Sequence, residues 1–213
     1  FSQCMKERAV FAIESEPDGG FWIGTEWGGV YRGDGNRLQA VPSDDKDDGY
    51  VRRIHRTRDG TLLFGTNKGI RKLQGGRLVP VLETGSILAL SSDEQGNLWY
   101  GHGWMGNGLS RFNPATGERE SFTTANGLPD DHVWSITPSA GAGVWVGTGS
   151  GLARYQNGRF EIFKRELGIE TGVWNLRRDA EGTLWLDTRL GLHRWHEGRH
   201  DSITLSNGLP DQH

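Results

Sequence analysis

The sequence predicts an all-β protein, a β-propeller built of four-stranded antiparallel blades. Three observations carry this. A five-residue motif recurs five times, the same short apolar runs flank every copy, and Gly makes up 33 of the 213 residues. That share is about twice the ~7% usual in soluble domains and suits a chain of many tight turns. The copies are Phe21-Trp22-Ile23-Gly24-Thr25, Leu62-Leu63-Phe64-Gly65-Thr66, Leu98-Trp99-Tyr100-Gly101-His102, Val144-Trp145-Val146-Gly147-Thr148 and Leu184-Trp185-Leu186-Asp187-Thr188. Their second residues stand 41, 36, 46 and 40 positions apart, a spacing within the range of propeller blades.

Each copy reads as a second strand. First strands precede it at Val10 to Ile13, Val51 to Ile54, Ile87 to Leu90, Val133 to Ile136 and Val173 to Leu176. The turns between them, such as Asp59-Gly60 and Glu181-Gly182, suit the positive φ of tight hairpins. Third strands begin at Gly29, Gly69, Gly108, Gly151 and Gly191, each followed by an apolar residue and, within two further positions, a basic one. A second set of Gly-containing turns leads to fourth strands at Leu38 to Val41, Leu78 to Val81, Ser121-Phe122, Phe160 to Phe163 and Ser202 to Leu205. Five repeats result, at 10–41, 51–81, 87–123, 133–163 and 173–205. So small a sheet cannot bury both faces alone, so neighbours must stack radially and share a core. Trp22, Trp99, Trp145 and Trp185, one large ring per repeat at a fixed position, are expected between blades. Trp134 and Trp174, inside first strands, are also expected to pack. No segment carries helical periodicity of useful length.

Composition narrows the function classes. A formal net charge of −3 offers no global cationic field for phosphate backbones, so nucleic acid is not an expected partner. No stretch approaches the ~20 apolar residues of a membrane-spanning helix, and the chain is expected to make no membrane contact of its own. The single cysteine, Cys4, cannot form an internal disulfide.

The repeat resembles the two-component regulator propeller repeat, on Asn126-Gly127-Leu128-Pro129-Asp130-Asp131-His132-Val133-Trp134-Ser135-Ile136, Val144 to Thr148, and Gly151-Leu152-Ala153-Arg154-Tyr155. The resemblance covers nearly the whole chain. It implies a ligand-sensing module, without catalysis of its own, in the periplasmic part of a bacterial hybrid histidine kinase or diguanylate cyclase receptor. Family rings commonly have seven blades, so the five repeats are expected to close a small ring or to belong to a larger one. Asn207-Gly208-Leu209-Pro210-Asp211-Gln212-His213 reads as the opening of a sixth repeat and points to a longer parent. Two positions depart from the pattern: Leu63 stands for the tryptophan and Asp187 for the glycine.

Several motifs are weighed against simpler readings. His196-Glu197-Gly198-Arg199-His200 spells a zinc-protease pattern, but that chemistry needs a helix to place both histidines on one face, and here the segment straddles a hairpin. Gly101 to Gly106 spells a dinucleotide pattern with no following helix to meet a pyrophosphate. The acidic run Asp44 to Gly49 could hold calcium in principle, but lacks the distal glutamate of an EF-hand and reads as a solvated loop. No metal or other cofactor is expected. In a propeller, the loops joining second to third strands emerge with the interblade linkers, opposite both hairpins, and ligands collect there by fold-level analogy. That end should carry Glu26, Trp27, Asp131, His132 and Arg189, together with His102 and Trp104 of the longest such loop. An exposed indole there would suit a sugar ring or another flat ligand, so a small-molecule or oligosaccharide ligand is expected. Two rival functions remain at this stage. One is a scaffold that docks another protein or pairs receptors as a homodimer. The other is an enzyme similar to the streptogramin-type lyases, which resemblance would make His102 and His132 the acid/base candidates.

Overall fold

A computed structural model describes residues 9–43, 45–103, 106–139, 143–163, 169, 171–196 and 198–209. The architecture is the expected all-β propeller of four-stranded antiparallel blades. The first blade holds β1 (Val10–Ser15), β2 (Phe21–Thr25), β3 (Val30–Gly33) and β4 (Leu38–Ala40). The second holds β5 (Val51–Arg56), β6 (Leu62–Thr66), β7 (Gly69–Gln74) and β8 (Arg77–Glu83). The third holds β9 (Ile87–Ser92), β10 (Leu98–His102), β11 (Leu109–Phe112) and β12 (Arg119–Phe122). The fourth holds β13 (Val133–Pro138), β14 (Val144–Thr148), β15 (Gly151–Gln156) and β16 (Arg159–Ile162). The fifth holds β17 (Val173–Arg178), β18 (Leu184–Thr188), β19 (Gly191–His196) and β20 (Arg199–Ile203). The backbone gathers into two compact units, Phe1–Leu90 and Ser91–His213, with the boundary inside β9.

Within each unit the motif residues explain the joints between blades. In the first unit Trp22 meets Phe64 of the next blade with ring centroids 6.0 Å apart. In the second, Trp99 meets Tyr155 at 5.0 Å and Trp145 meets Trp195 at 5.2 Å. The basic residue of the third strand is cross-strand to the tryptophan and lies over its ring: Arg32 over Trp22, Arg111 over Trp99, Arg154 over Trp145 and Arg194 over Trp185, at 5.2 to 6.0 Å. Cation–π attraction explains why this pair recurs. Trp22, Trp99 and Trp145 are buried as expected; Trp185 is only half-buried. The motif glycine serves close approach. A Cβ on Gly24 would lie 2.7 Å from the Val51 oxygen, one on Gly65 2.7 Å from Ile87 Cγ2, one on Gly101 2.8 Å from Val133 Cγ1 and one on Gly147 2.6 Å from the Val173 oxygen. Each glycine is thus a socket for the anchor residue that opens the next blade, and all four anchors are fully buried.

The motif threonine closes the loop that follows it. Thr25, Thr66, Thr148 and Thr188 donate from Oγ1 to the carbonyls of Gly29, Gly69, Gly151 and Gly191 at 2.9 to 3.1 Å.

Two features depart from the sequence reading. In four blades the first strand carries a bulge against the second, leaving Phe11, Arg52, Trp134 and Trp174 as the extra residues. A bulge interrupts the in–out alternation and re-aims one side chain. That is why Trp174, expected to pack, is 49% exposed while Leu176 is buried. The acidic run is the other correction. Lys46–Gly49 is a 3₁₀ turn, and Asp48, read as solvated, is 2% exposed and bonded to Arg71 Nε at 2.8 Å.

Candidate functional site

The loop end of the first unit gathers aromatic rings around a guanidinium. Trp27, in the β2–β3 loop, is 70% exposed and stands at φ 58, the left-handed region that a bulky residue rarely enters. It is held there from both sides. Glu26 N–H donates to the Ala9 carbonyl, Gly29 N–H donates to the Gly49 carbonyl, and the indole meets Tyr50 edge-on at 5.3 Å. Arg52, the bulge residue of β5, lies 4.5 Å over the Phe11 ring and 4.6 Å over Tyr50, and also bonds the Tyr50 hydroxyl. Glu26 is half-buried beside this group.

The loop end of the second unit holds a polar cluster. Asp130 Oδ1 accepts from the His132 backbone N–H at 2.8 Å and pairs with His132 Nδ1 at 2.9 Å, while Oδ2 accepts from Ser150 Oγ at 2.7 Å. Burial pushes the Asp130 carboxyl up, but the hydrogen bonds from His132 and Ser150 outweigh it and hold the group below the usual carboxylate range. The ionised carboxylate therefore fixes the Nδ1–H tautomer. The ring is 47% exposed, stacks on Trp134 at 6.1 Å, and lies so near Gly106 that a Cβ there would sit 2.9 Å from its Cε1. Because the Ser150 proton goes to Asp130 and not to the imidazole, the three residues are not a nucleophile–base pair of the acyl-transfer type.

The other predicted residues separate from this cluster. His102 is the last residue of β10, where other blades place threonine, and bonds inward from Nε2 to Ser110 Oγ at 2.8 Å, which in turn meets Ser121 Oγ at 3.0 Å. Burial holds its imidazole below the ordinary range. Asp131 is engaged locally: its carboxylate accepts from Thr124 N–H at 2.7 Å and its carbonyl from Gly108 N–H at 2.9 Å. Arg189 is exposed in the β18–β19 loop. Trp104 lies outside the described residues, as does Glu197 of the zinc-protease pattern. His196 and His200 of that pattern point to opposite faces of their hairpin, since His196 is cross-strand to Arg199 and Trp195 to His200. His200 Nε2 instead meets His193 Nδ1 at 2.9 Å. Burial, then the neighbouring His200, holds His193 below its ordinary range.

The sequence reading missed a polar depression of about 460 Å³ at the hairpin end of the third blade. Gln95, Asn97, Arg111, Asn113, Glu118, Arg119 and Glu120 line it, with Arg111 tied to Glu120 at 2.8 Å. Its only sequence signal is the charge of the third hairpin, which nothing in the repeat pattern distinguishes from a solvated turn.

No protein-family model matches the chain, and no curated protein matches it. Solved structures do. The extracellular domain of BT3049, assigned to a hybrid two-component system of B. thetaiotaomicron, superposes with TM-score 0.80 at 19% identity, over 95% of this chain and 30% of that one. The extracellular domain of BT4673, assigned to a one-component system of the same organism, gives TM-score 0.75 at 23% identity, over 92% and 28%. Virginiamycin B lyase from Staphylococcus aureus gives 0.64 at 21% identity, over 84% and 62%. What is shared at these identities is the propeller fold. The chain spans less than a third of either receptor domain.

Proposed function

We propose that this chain is a ligand-recognition module in the extracytoplasmic, periplasmic part of a signalling receptor, binding a small molecule or oligosaccharide at the loop end of its blades without catalysis of its own. The carrying observation is Trp27. A solvent-facing indole held on left-handed backbone costs roughly 1 kcal/mol or more and persists where the surrounding structure imposes it, often at ligand sites. The repeat itself supplies no reason for it, because the corresponding loop of the fourth blade is closed with Gly149 and Ser150. The similarity to receptor extracellular domains supports the same reading. The lyase reading gains no support from His102, whose Nε2 is engaged inside its blade.

A screen of oligosaccharides and small organic acids by tryptophan fluorescence tests this. Trp27→Ala, His132→Ala and Trp104→Ala are compared with Arg119→Ala. At least one loop-end variant should weaken binding by ~5-fold or more, the scale of one stacking contact, with the melting temperature nearly unchanged. Binding that survives all three but fails in Arg119→Ala would place the ligand in the hairpin-end depression and overturn the proposal.

A further inference from the structure

The third blade is built differently from the others around its hairpin-end depression of about 460 Å³. Strand register puts Trp99, Arg111 and Glu120 in one cross-strand row. Alternation then brings Asn97 and Glu118, two positions before Trp99 and Glu120, to the same side of the sheet. It is the side on which Trp99 meets Tyr155 of the next blade. Two substitutions within the repeat set this place apart. The residue before the motif is Gly20, Thr61, Gly143 or Thr183 in the other blades and Asn97 here. The first residue after the outer-hairpin glycine is Arg77, Arg159 or Arg199 in the second, fourth and fifth blades and Glu118 here.

Asn97 is 6% exposed, and its orientation is fixed. The buried Asp93 carboxylate accepts from the Gln95 and Asn97 backbone N–H groups, from Asn97 Nδ2 at 2.9 Å and from Trp99 Nε1 at 2.8 Å. A carboxylate only accepts, so the amide must turn its nitrogen to Asp93. Its oxygen takes no hydrogen bond among the described residues yet is not sealed from solvent, and the residue lines the depression. A side chain more than nine-tenths buried thus holds an unfilled acceptor there.

The charged lining is also unbalanced. Glu118 is exposed and meets Thr116 Oγ1 at 3.0 Å, but among the described residues it has no cation at ion-pair distance. Arg111 is matched by Glu120 at 2.8 Å. Arg119 borders the depression from the other side of the sheet, its guanidinium over Phe112. Asn113 engages its oxygen with the Ala115 and Thr116 N–H groups, which leaves its amide nitrogen as a donor.

We propose that this depression is a second binding site, for a small molecule in which a primary ammonium neighbours an oxygen acceptor, as in an amino sugar or an amino acid. An ammonium carries donors only, and so suits Glu118 and the Asn97 oxygen together, with a charge-assisted bond to the carboxylate. The neighbouring oxygen accepts from Arg111 or Asn113. The volume falls within the ~300 to 1,000 Å³ of small-molecule sites. No loop-end residue takes part, so this site and the loop-end site can fail independently.

NMR titration of the chain, read at the Asn97 side-chain amide and the Trp99 indole N–H, tests this with glucosamine and serine as probes. At least one should shift both signals saturably, and which one does so separates the amino sugar from the amino acid. N-acetylglucosamine and N-acetylserine lack the ammonium and should bind ~10-fold more weakly or not at all. Glu118→Arg restores the residue type of three other blades at an exposed position and should abolish the shifts. Glu181→Arg makes the same charge change at an exposed turn of the fifth blade and should leave them as in the parent. The proposal is overturned if neither probe shifts the signals, if the acetylated forms bind as well as the free amines, or if Glu118→Arg binds like the parent. It is equally overturned if Glu181→Arg weakens binding as much as Glu118→Arg, which would reduce the effect to net charge.

Discussion

Asp48 in the first unit and Asp130 in the second hold the same place in their repeats, three residues before the anchor valine, and put the position to opposite uses. Both reach the far end of the second strand of their own blade, Asp48 to the hydroxyl of Thr66, its last residue, at 3.2 Å and Asp130 to the hydroxyl of Ser150, two residues beyond it, at 2.7 Å. Their remaining partners differ. Asp48 faces Arg71, and both are 2% exposed; Arg71 also reaches Glu83 at 2.8 Å. Burial alone would lower the Arg71 guanidinium's pKa, but Asp48 and Glu83 more than compensate and raise it. Asp130 faces a surface histidine instead. A carboxylate matched to a buried cation is committed to the fold, whereas one that orients a surface ring fixes the posture of that ring without burying its own charge.

The largest effect expected from this contrast is that of Asp48→Ala. It removes the one buried partner of Arg71, leaving only the more exposed Glu83 and Asp45, and should cost ~3 to 5 kcal/mol in chemical denaturation. A loss under ~1 kcal/mol would mean that Glu83 and Asp45 suffice for Arg71, and the contrast with Asp130 would collapse.

Acid should sharpen the comparison next. Burial lowers the His55 pKa from 6.5 to about 4, so the unfolded chain takes up the proton first. The stabilisation is therefore whole above about pH 6.5 and is lost as pH falls toward 4, by about 3 kcal/mol in all. His55→Gln should flatten that loss, and hydrogen exchange can localise it to the first unit. Equal acid sensitivity in variant and parent would show that His55 titrates normally. His102 and His193 act in the same direction in the second unit, since burial lowers both.

The smallest effect belongs to Asp130→Ala. Its carboxylate is partly solvated and its partners can turn to water, so stability should fall by only ~0.5 to 1 kcal/mol. The ring ¹⁵N shifts of His132 should nevertheless move as the Nδ1–H tautomer loses its acceptor. A cost like that of Asp48→Ala would make the cluster a structural element and not an open site.

Much of the fold was legible because it rests on short-range pattern. The Trp, Gly and Thr of the motif each act within one strand, one adjoining loop or the next blade, and their spacing alone exposed the blade unit. The candidate site was less legible. Trp27 and His132 were placed at the loop end, but Tyr50, Arg52 and Ser150 were not foreseen as their partners. The bulges that present Arg52 and Trp134 leave no distinctive residue behind. Spacing puts His102 in the motif's threonine position but does not reveal its bond to Ser110 across the blade, which depends on the pairing of neighbouring strands.

By itself, then, the sequence determined the blade, its four strands, its turns and the apolar rings between blades, because these follow from a period of two along a strand and from fixed offsets within a repeat. Only the tertiary structure decided which carboxylate is buried and which is open, and which tryptophan packs and which faces water. Burial and partner choice depend on residues far apart in the chain, and one repeat position meets a different neighbour in every blade.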